Sequence, residues 1–301
     1  VSEESAKKEA NNQEMVLVES RWQRTLDVLS VIGPPLTVAT ALLVYFGWAR
    51  TDAQAKSMGL DVSLFGYTVQ DFILRSIQSL FRPLAWLALV GLLWLMADRG
   101  VDKLLADQRL RPAIRRTATA LLVLGFLFAA VMWVLTISQP ERILLYVPYM
   151  IAGGLLLGAW GMSLRRRAAA GSGRSLTVTP RALERSFIFV LVTLLLFWGT
   201  SDYAQALGRG AAVEYQERSQ LLPTAVVYSK ERLAVTAPNV HEETAGTAAE
   251  PLYRYTGLRL LVVSGGRIFL LNDGWTLKEG RVVVLRDDSS VRVEYGNPSA
   301  E

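Results

Sequence analysis

No cysteine occurs among the 301 residues, so disulfides, thiolate metal sites and thiol nucleophiles are excluded whatever the compartment. Histidine occurs once, at His241, which rules out a His-based metal cluster. His241-Glu242-Glu243 has no second histidine at the spacing of a zinc-binding helix. A G-x-S-x-G elbow is also missing, and Ser5-Ala6-Lys7-Lys8 matches S-x-x-K only within a polar tail. The absence with the largest consequence is that of charge. Five stretches, beginning near Val28, Pro83, Thr117, Ile143 and Phe187, contain no Asp, Glu, Lys, Arg or His. Each approaches or exceeds the ~20 apolar residues that a helix needs to cross about 30 Å of hydrocarbon.

What remains is 51% hydrophobic and 20% charged, divided between apolar spans and charge-bearing connections. The fold class expected is an α-helical integral membrane bundle of five transmembrane helices plus a small all-β C-terminal extracytoplasmic domain. Its parts are a largely disordered cytoplasmic tail over 1–27, a five-span domain over 28–205, and a juxtamembrane segment with the β domain over 206–301. Ala53-Gln54-Ala55 after the first span resembles a signal-peptide cleavage site. The long tail before that span, as acidic as it is basic, favours a retained helix.

The connections set the orientation. Arg99, Lys103, Arg109, Arg111, Arg115 and Arg116 lie between the second and third spans, and Arg165, Arg166, Arg167, Arg174, Arg181 and Arg185 between the fourth and fifth. Between the third and fourth there is only Ser138-Gln139-Pro140-Glu141-Arg142. Basic residues are retained on the cytoplasmic side. The N-terminus is therefore expected inside, and the connection from Arg50 to Arg82 and everything after the fifth span outside. The net charge of +5 is explained by these juxtamembrane clusters, so nucleic acid is not expected as a partner. Arg165 to Arg167 read as a stop-transfer anchor and Gly171-Ser172-Gly173-Arg174 as a flexible linker.

Inside the spans there is no carboxylate, histidine or lysine of the kind that ion-coupled carriers place there. Asp98 and Asp202 fall at the ends of the second and fifth spans. Pro34-Pro35 predicts a kink in the first span. Gly154, Gly158 and Gly161 form a small-residue face that lets two helix backbones approach, either within the bundle or across a homodimer seam. Seven of the eight tryptophans are Trp22, Trp48, Trp86, Trp94, Trp133, Trp160 and Trp198, mostly near span ends, as interfacial anchors.

Thr68-Val69-Gln70-Asp71 has the form of a helix start, and the spacing of Val69, Phe72, Ile73, Ile77 and Leu80 predicts an amphipathic helix over 69–81, attached directly to the second span at Pro83, that lies on the outer membrane surface, under the outer domain, or against the bundle as part of its packing. Asp71 and Arg75, four apart, are expected to pair. Asp61, Asp71, Arg75, Arg82 and Asp202 are the charged groups expected at the outer surface, and they are the candidate coupling or binding residues.

From Thr224 the apolar runs shorten. Strands are predicted over Thr224 to Ser229, Arg232 to Thr236, Tyr253 to Thr256, Leu258 to Ser264, Arg267 to Leu271, Arg281 to Leu285 and Val291 to Tyr295, with Gly265-Gly266 as a hairpin turn. The pattern predicts a barrel or sandwich. The polar stretch from Asn239 to Glu250 is expected to be a mobile loop.

Three sets of phrases carry a resemblance. They are Tyr45-Phe46-Gly47-Trp48-Ala49-Arg50; the run from Gly59 to Ser76; and, in the last domain, Val226 to Leu233, Tyr255 to Leu261 and Phe269-Leu270-Leu271 before Gly274-Trp275. In these the chain resembles a group of uncharacterised bacterial multi-pass membrane proteins with a small extracytoplasmic β domain. The resemblance implies the architecture and carries over no catalytic residue.

The function expected is non-enzymatic: a membrane protein that presents its outer β domain for binding, sensing or scaffolding, without catalytic residue, metal or cofactor. Its partners are the lipid bilayer and either a protein partner or further copies of itself. A subunit of an oligomeric channel or transporter is the alternative, and a membrane enzyme acting on lipid the third.

Overall fold

The computed structural model describes residues 35–138, 145–169, 179–247 and 250–298. The tail over 1–27, the start of the first span with Pro34, the connection from Gln139 to Arg142 and the Gly171 to Arg174 linker lie outside the described residues.

Among the described residues five α-helices precede a sheet. Helix α1 covers 35–57 and is followed by a 3-10 turn, Val62–Phe65. Then come α2 (Val69–Leu105), α3 (Arg111–Ser138), α4 (Val147–Ala169) and α5 (Thr179–Glu217). Among the described residues four helices, α2 to α5, are long and apolar enough to cross a membrane.

Helix α2 starts as its sequence signals. The Thr68 side chain accepts from the Asp71 N–H at 3.3 Å while the Asp71 carboxylate accepts from the Thr68 N–H at 2.8 Å, a complete capping box. It does not stop where expected. The helix over 69–81 is not a separate surface element but the first third of a single helix of 37 residues that runs through Pro83. At about 1.5 Å per residue it is roughly 55 Å long, well beyond the thickness of hydrocarbon. A proline removes one rung of the ladder, and the apolar turns on either side still gain by staying helical. Helix α5, 39 residues long, likewise extends past its apolar stretch.

The tightest packing joins α3 to α4 through small residues. A Cβ at Gly154 would lie 2.8 Å from the Gly125 carbonyl oxygen, and one at Gly161 would lie 2.6 Å from the Leu122 nitrogen and 2.8 Å from the Ala118 oxygen. Gly154, Gly158 and Gly161 thus face α3 within one chain, where backbones approach as closely as glycine permits. Ala129, Val147, Ile151, Ala152, Val192 and Leu195 continue the core from α3 through α4 into α5. Helix α2 stands apart. None of its apolar window is buried, against 44% for α4. It is held mainly at its ends: near its start, a Cβ at Gly47 of α1 would fall on the Phe72 carbonyl. Toward its C-terminus, Trp94 lies against Trp160 at 5.1 Å, and Asp98 accepts from Trp160 Nε1 and Arg167 Nη1, each at 3.0 Å.

The sheet has six strands, all pairings antiparallel: β1 (Thr224–Ser229), β2 (His241–Thr244), β3 (Tyr253–Ser264), β4 (Arg267–Asn272), β5 (Val282–Arg286) and β6 (Val291–Gly296), in the order β5-β4-β3-β1-β6 with β2 also on β3. The outermost strands, β5 and β6, are consecutive in the chain, and Val283 and Leu285 of one share a core with Val291 and Val293 of the other. The sheet is therefore rolled, so that its two edges approach.

Three expectations change here. Tyr253 to Thr256 and Leu258 to Ser264 are one strand, because Gly257 takes φ +79, a conformation glycine adopts without a Cβ clash. A Cβ there would fall on the Asn239 carbonyl. Arg232 to Thr236 forms no strand and takes no place in the sheet's ladder. Instead the Leu233 N–H donates to the Tyr255 hydroxyl at 2.7 Å, and Leu233 and Val235 pack on the core as a strap. Part of the expected loop after Asn239 is strand β2, whose Glu242 and Glu243 pair with Arg232 and Arg254 at 2.7 and 3.1 Å.

Candidate functional site

Where the apolar stretches of α1, α2 and α5 end, the helices continue as a neck, and the sheet sits on it. Two glycines make the neck close. Besides Gly47 against Phe72, a Cβ at Gly208 of α5 would fall on the Arg50 carbonyl of α1. Across this contact the Tyr45 hydroxyl and Ser201 Oγ lie 3.0 Å apart, and Tyr45 stacks on Phe197 at 5.0 Å.

The 3-10 turn carries the sheet. Asp61 caps it by accepting from the Ser63 N–H at 2.8 Å, and hydrogen bonding from the Ser63 side chain, with that N–H, holds the Asp61 carboxyl below its usual range. Phe65, 3% exposed, stacks on Phe269 of β4 at 4.6 Å and on Tyr67 at 5.2 Å. Gly265 and Gly266, both at positive φ, form the β3-β4 turn. A Cβ at Gly265 would lie 2.9 Å from the Phe65 carbonyl oxygen. Arg267 Nη1 donates to the Leu64 carbonyl at 3.2 Å. A second apolar contact joins Met58 and Ala212 of the neck to Leu271 and Trp275. Strand β4 is consequently buried on both faces: Ile268 and Leu270 face the rolled core, Phe269 and Leu271 the neck.

Polar staples complete the seat. Arg259, 7% exposed, donates through Nε to Asp273 at 2.7 Å, through Nη1 to the Gln220 and Leu222 carbonyls at 2.7 and 3.2 Å, and through Nη2 to Gln220 Oε1 at 2.8 Å. It ties the segment leaving α5 to the middle of β3. Beneath the sheet, the Arg75 guanidinium lies 4.1 Å from the centre of the Tyr67 ring and its Nη2 donates to the Tyr67 hydroxyl at 2.8 Å. Arg50 Nη1 donates to the Arg75 carbonyl at 3.1 Å. Burial and the nearby Arg75 charge lower the Arg50 pKa, and burial raises that of Tyr67.

The five charged residues singled out from sequence do not converge on one pocket. Asp61 and Asp71 are occupied as caps. Arg75 reaches Tyr67 and forms no ion pair with Asp71, whose carboxylate is taken by Thr68. Arg82 is exposed on α2. Asp202 is half-buried in α5, its Oδ2 without a hydrogen-bond partner, as is the neighbouring Tyr203 hydroxyl. Among the described residues no three of His, Asp and Glu lie close enough together to hold a metal ion. The residues that build the seat, Phe65, Tyr67, Arg50, Arg259, Phe269 and Trp275, were not singled out for it. Two signals were present: Ile268-Phe269-Leu270-Leu271 does not alternate as a half-buried strand should, and Arg259 interrupts an apolar strand. No protein-family model matches the chain, and no curated protein or solved structure matches it either.

Proposed function

We propose that this chain is a five-span membrane protein, with α1 as the fifth crossing, whose non-enzymatic work is done by the rolled sheet held outside the cytoplasm: binding or sensing a partner, or scaffolding one. The observation that carries the reading is the seat itself. Phe269 and Leu271 are 0% exposed and Trp275 is 2% exposed, so the sheet is joined to the neck by packing of interior quality. A domain on a linker would swing, whereas this one keeps a fixed pose over the bilayer.

Charge supports the orientation. Arg99, Lys103, Arg109, Arg111, Arg115 and Arg116, with Arg165 to Arg167, cluster at the end of the bundle remote from the sheet, where Arg166 pairs with Glu184 at 2.6 Å and Arg167 with Asp98 at 3.0 Å. With basic residues retained inside, the N-terminus is cytoplasmic and the sheet extracytoplasmic. Helix α2 runs unbroken from the seat to that basic end, which makes it the route by which an event at the sheet would reach the cytoplasmic face.

The test is affinity capture in mild detergent, comparing the full chain with one ending at Glu217. A partner retained by the full chain, lost on truncation and bound again by the purified full chain supports the reading; equal capture by both would overturn it. The second reading, a subunit of an oligomeric channel or transporter, rests on α2, whose apolar window has no buried residue among the described residues. Native mass measurements on the extracted protein decide it: a single stable oligomer favours the second reading, a monomer the first.

A further inference from the structure

Three arginines of the neck stand without an acidic partner: among the described residues Arg50, Arg75 and Arg82 have no carboxylate at ion-pair distance. The acids around them are engaged elsewhere: Asp52 with Lys56 at 2.7 Å, Asp61 with the Ser63 N–H, Asp71 with Thr68. Arg50 and Arg75 are half-buried, and Arg50 Nε is buried without an acceptor. A guanidinium withdrawn from water with its hydrogen bonding incomplete is costly. An anion brought to its exposed side would offset that cost.

The surroundings define the anion. Arg75 and Arg82, seven residues apart, lie on one flank of α2 with a rise of about 10.5 Å between them. On one side of that flank is the face buried in the bundle, with Ser76 and Ser79 at 0% exposure; on the other are Leu74, Ile77 and Phe81 at 66%, 55% and 70%. Trp86, a turn beyond Arg82, is exposed as interfacial tryptophans are. Arginine's planar fork matches phosphate oxygens, and the bare apolar flank on the membrane side of Arg82, with Leu89 and Leu93 at 44% and 56% exposure, suits acyl chains better than a soluble ion. We infer that Arg50, Arg75 and Arg82 bind the phosphate of an anionic lipid headgroup in the leaflet below the sheet, its acyl chains running from Arg82 toward the bilayer centre over the exposed Trp86, Leu89 and Leu93. This rests on the proposed orientation only for which leaflet supplies the lipid.

The test is native mass spectrometry of the full chain from detergent containing equal phosphatidylglycerol and phosphatidylcholine, reading the ratio of the two lipids retained. Arg82→Gln, at an exposed position that leaves the fold intact, lowers the ratio several-fold. Arg50→Gln/Arg75→Gln lowers it about tenfold, the size of effect expected for lost charge-assisted hydrogen bonds. Arg109→Gln/Arg111→Gln, at the opposite end, leaves it unchanged. An unchanged ratio in Arg82→Gln and in the double variant overturns the inference, as does an equal fall in the Arg109→Gln/Arg111→Gln control, which would mean attraction by net charge. Displacement of the lipid by millimolar inorganic phosphate would make the ligand a soluble anion and overturn the lipid assignment. Labelling of a Ser63→Cys variant separates this inference from the orientation: if Ser63 proves cytoplasmic while Arg82→Gln still lowers the ratio, the orientation fails and the site stands.

Discussion

Phe65 stacks on Phe269 at 4.6 Å between ring centres, although one belongs to the turn between α1 and α2 and the other to the middle of the rolled sheet. Both rings are almost wholly withdrawn from solvent. This pair is the centre of the seat, and everything proposed about the sheet's fixed pose depends on it.

Phe269→Ala is expected to cost about 3–5 kcal/mol, the range for deleting a buried aromatic ring. Phe65→Ala is expected to cost as much at the seat while leaving the rolled core of Val227, Tyr255 and Leu270 intact. Limited proteolysis of the purified protein checks both: cleavage between Glu217 and Thr224 should rise sharply in each variant. Unchanged cleavage in Phe65→Ala would mean that the sheet is held by other contacts.

Two glycines of α5, two residues apart, should respond with opposite sign. At Gly208 a Cβ would strike the Arg50 carbonyl, whereas nothing lies within 4 Å of one at Gly210. Gly208→Ala is therefore expected to destabilise by about 1–3 kcal/mol through backbone displacement. Gly210→Ala should be neutral or stabilising by up to ~1 kcal/mol, since alanine is the better helix former. Thermal unfolding in detergent, followed by tryptophan fluorescence, distinguishes them.

Arg259 has no adequate substitute. Removing its guanidinium leaves the Gln220 and Leu222 carbonyls, the Gln220 side chain and Asp273 without their donor, and Arg259→Met is expected to cost about 1–3 kcal/mol, the range for leaving polar groups without their partner. Arg259→Lys should recover only a minor part, because an ammonium cannot span four acceptors arranged for a planar fork. Urea unfolding of the two variants, compared with the parent, measures the difference.

The missing cysteines make orientation directly measurable. Single variants Ser63→Cys and Ser289→Cys are expected to react with a membrane-impermeant maleimide on intact cells, and Ala106→Cys only after lysis. Labelling in the reverse sense would invert the topology, and labelling of Ser63 and Ser289 from opposite sides would remove one crossing.

Much of the architecture was legible from local pattern. Long uncharged runs marked the membrane helices, the Thr68 to Asp71 motif marked a helix start, and Gly265-Gly266 marked a hairpin, because each depends on residues close in sequence. The candidate site was legible only in part. Asp71 had two partners within reach, the cap and Arg75, and the cap won because it satisfies a backbone N–H at no entropic cost of a long side chain. Arg75 was then free for Tyr67, a contact its spacing does not announce. Strand β2 was hidden by its charges, which pair at the exposed surface with Arg232 and Arg254.

By itself the sequence determined where apolar helices lie, which connections are basic, and where the chain turns to strands, since hydrophobicity, charge and turn chemistry are properties of neighbouring residues. Tertiary structure alone decided that α2 passes through Pro83 without a break, that Gly154, Gly158 and Gly161 meet α3 of the same chain, and that Phe65 meets Phe269. Those outcomes turn on which surfaces come together across long stretches of chain, and on the close approach that only a missing Cβ or an unpaired guanidinium invites.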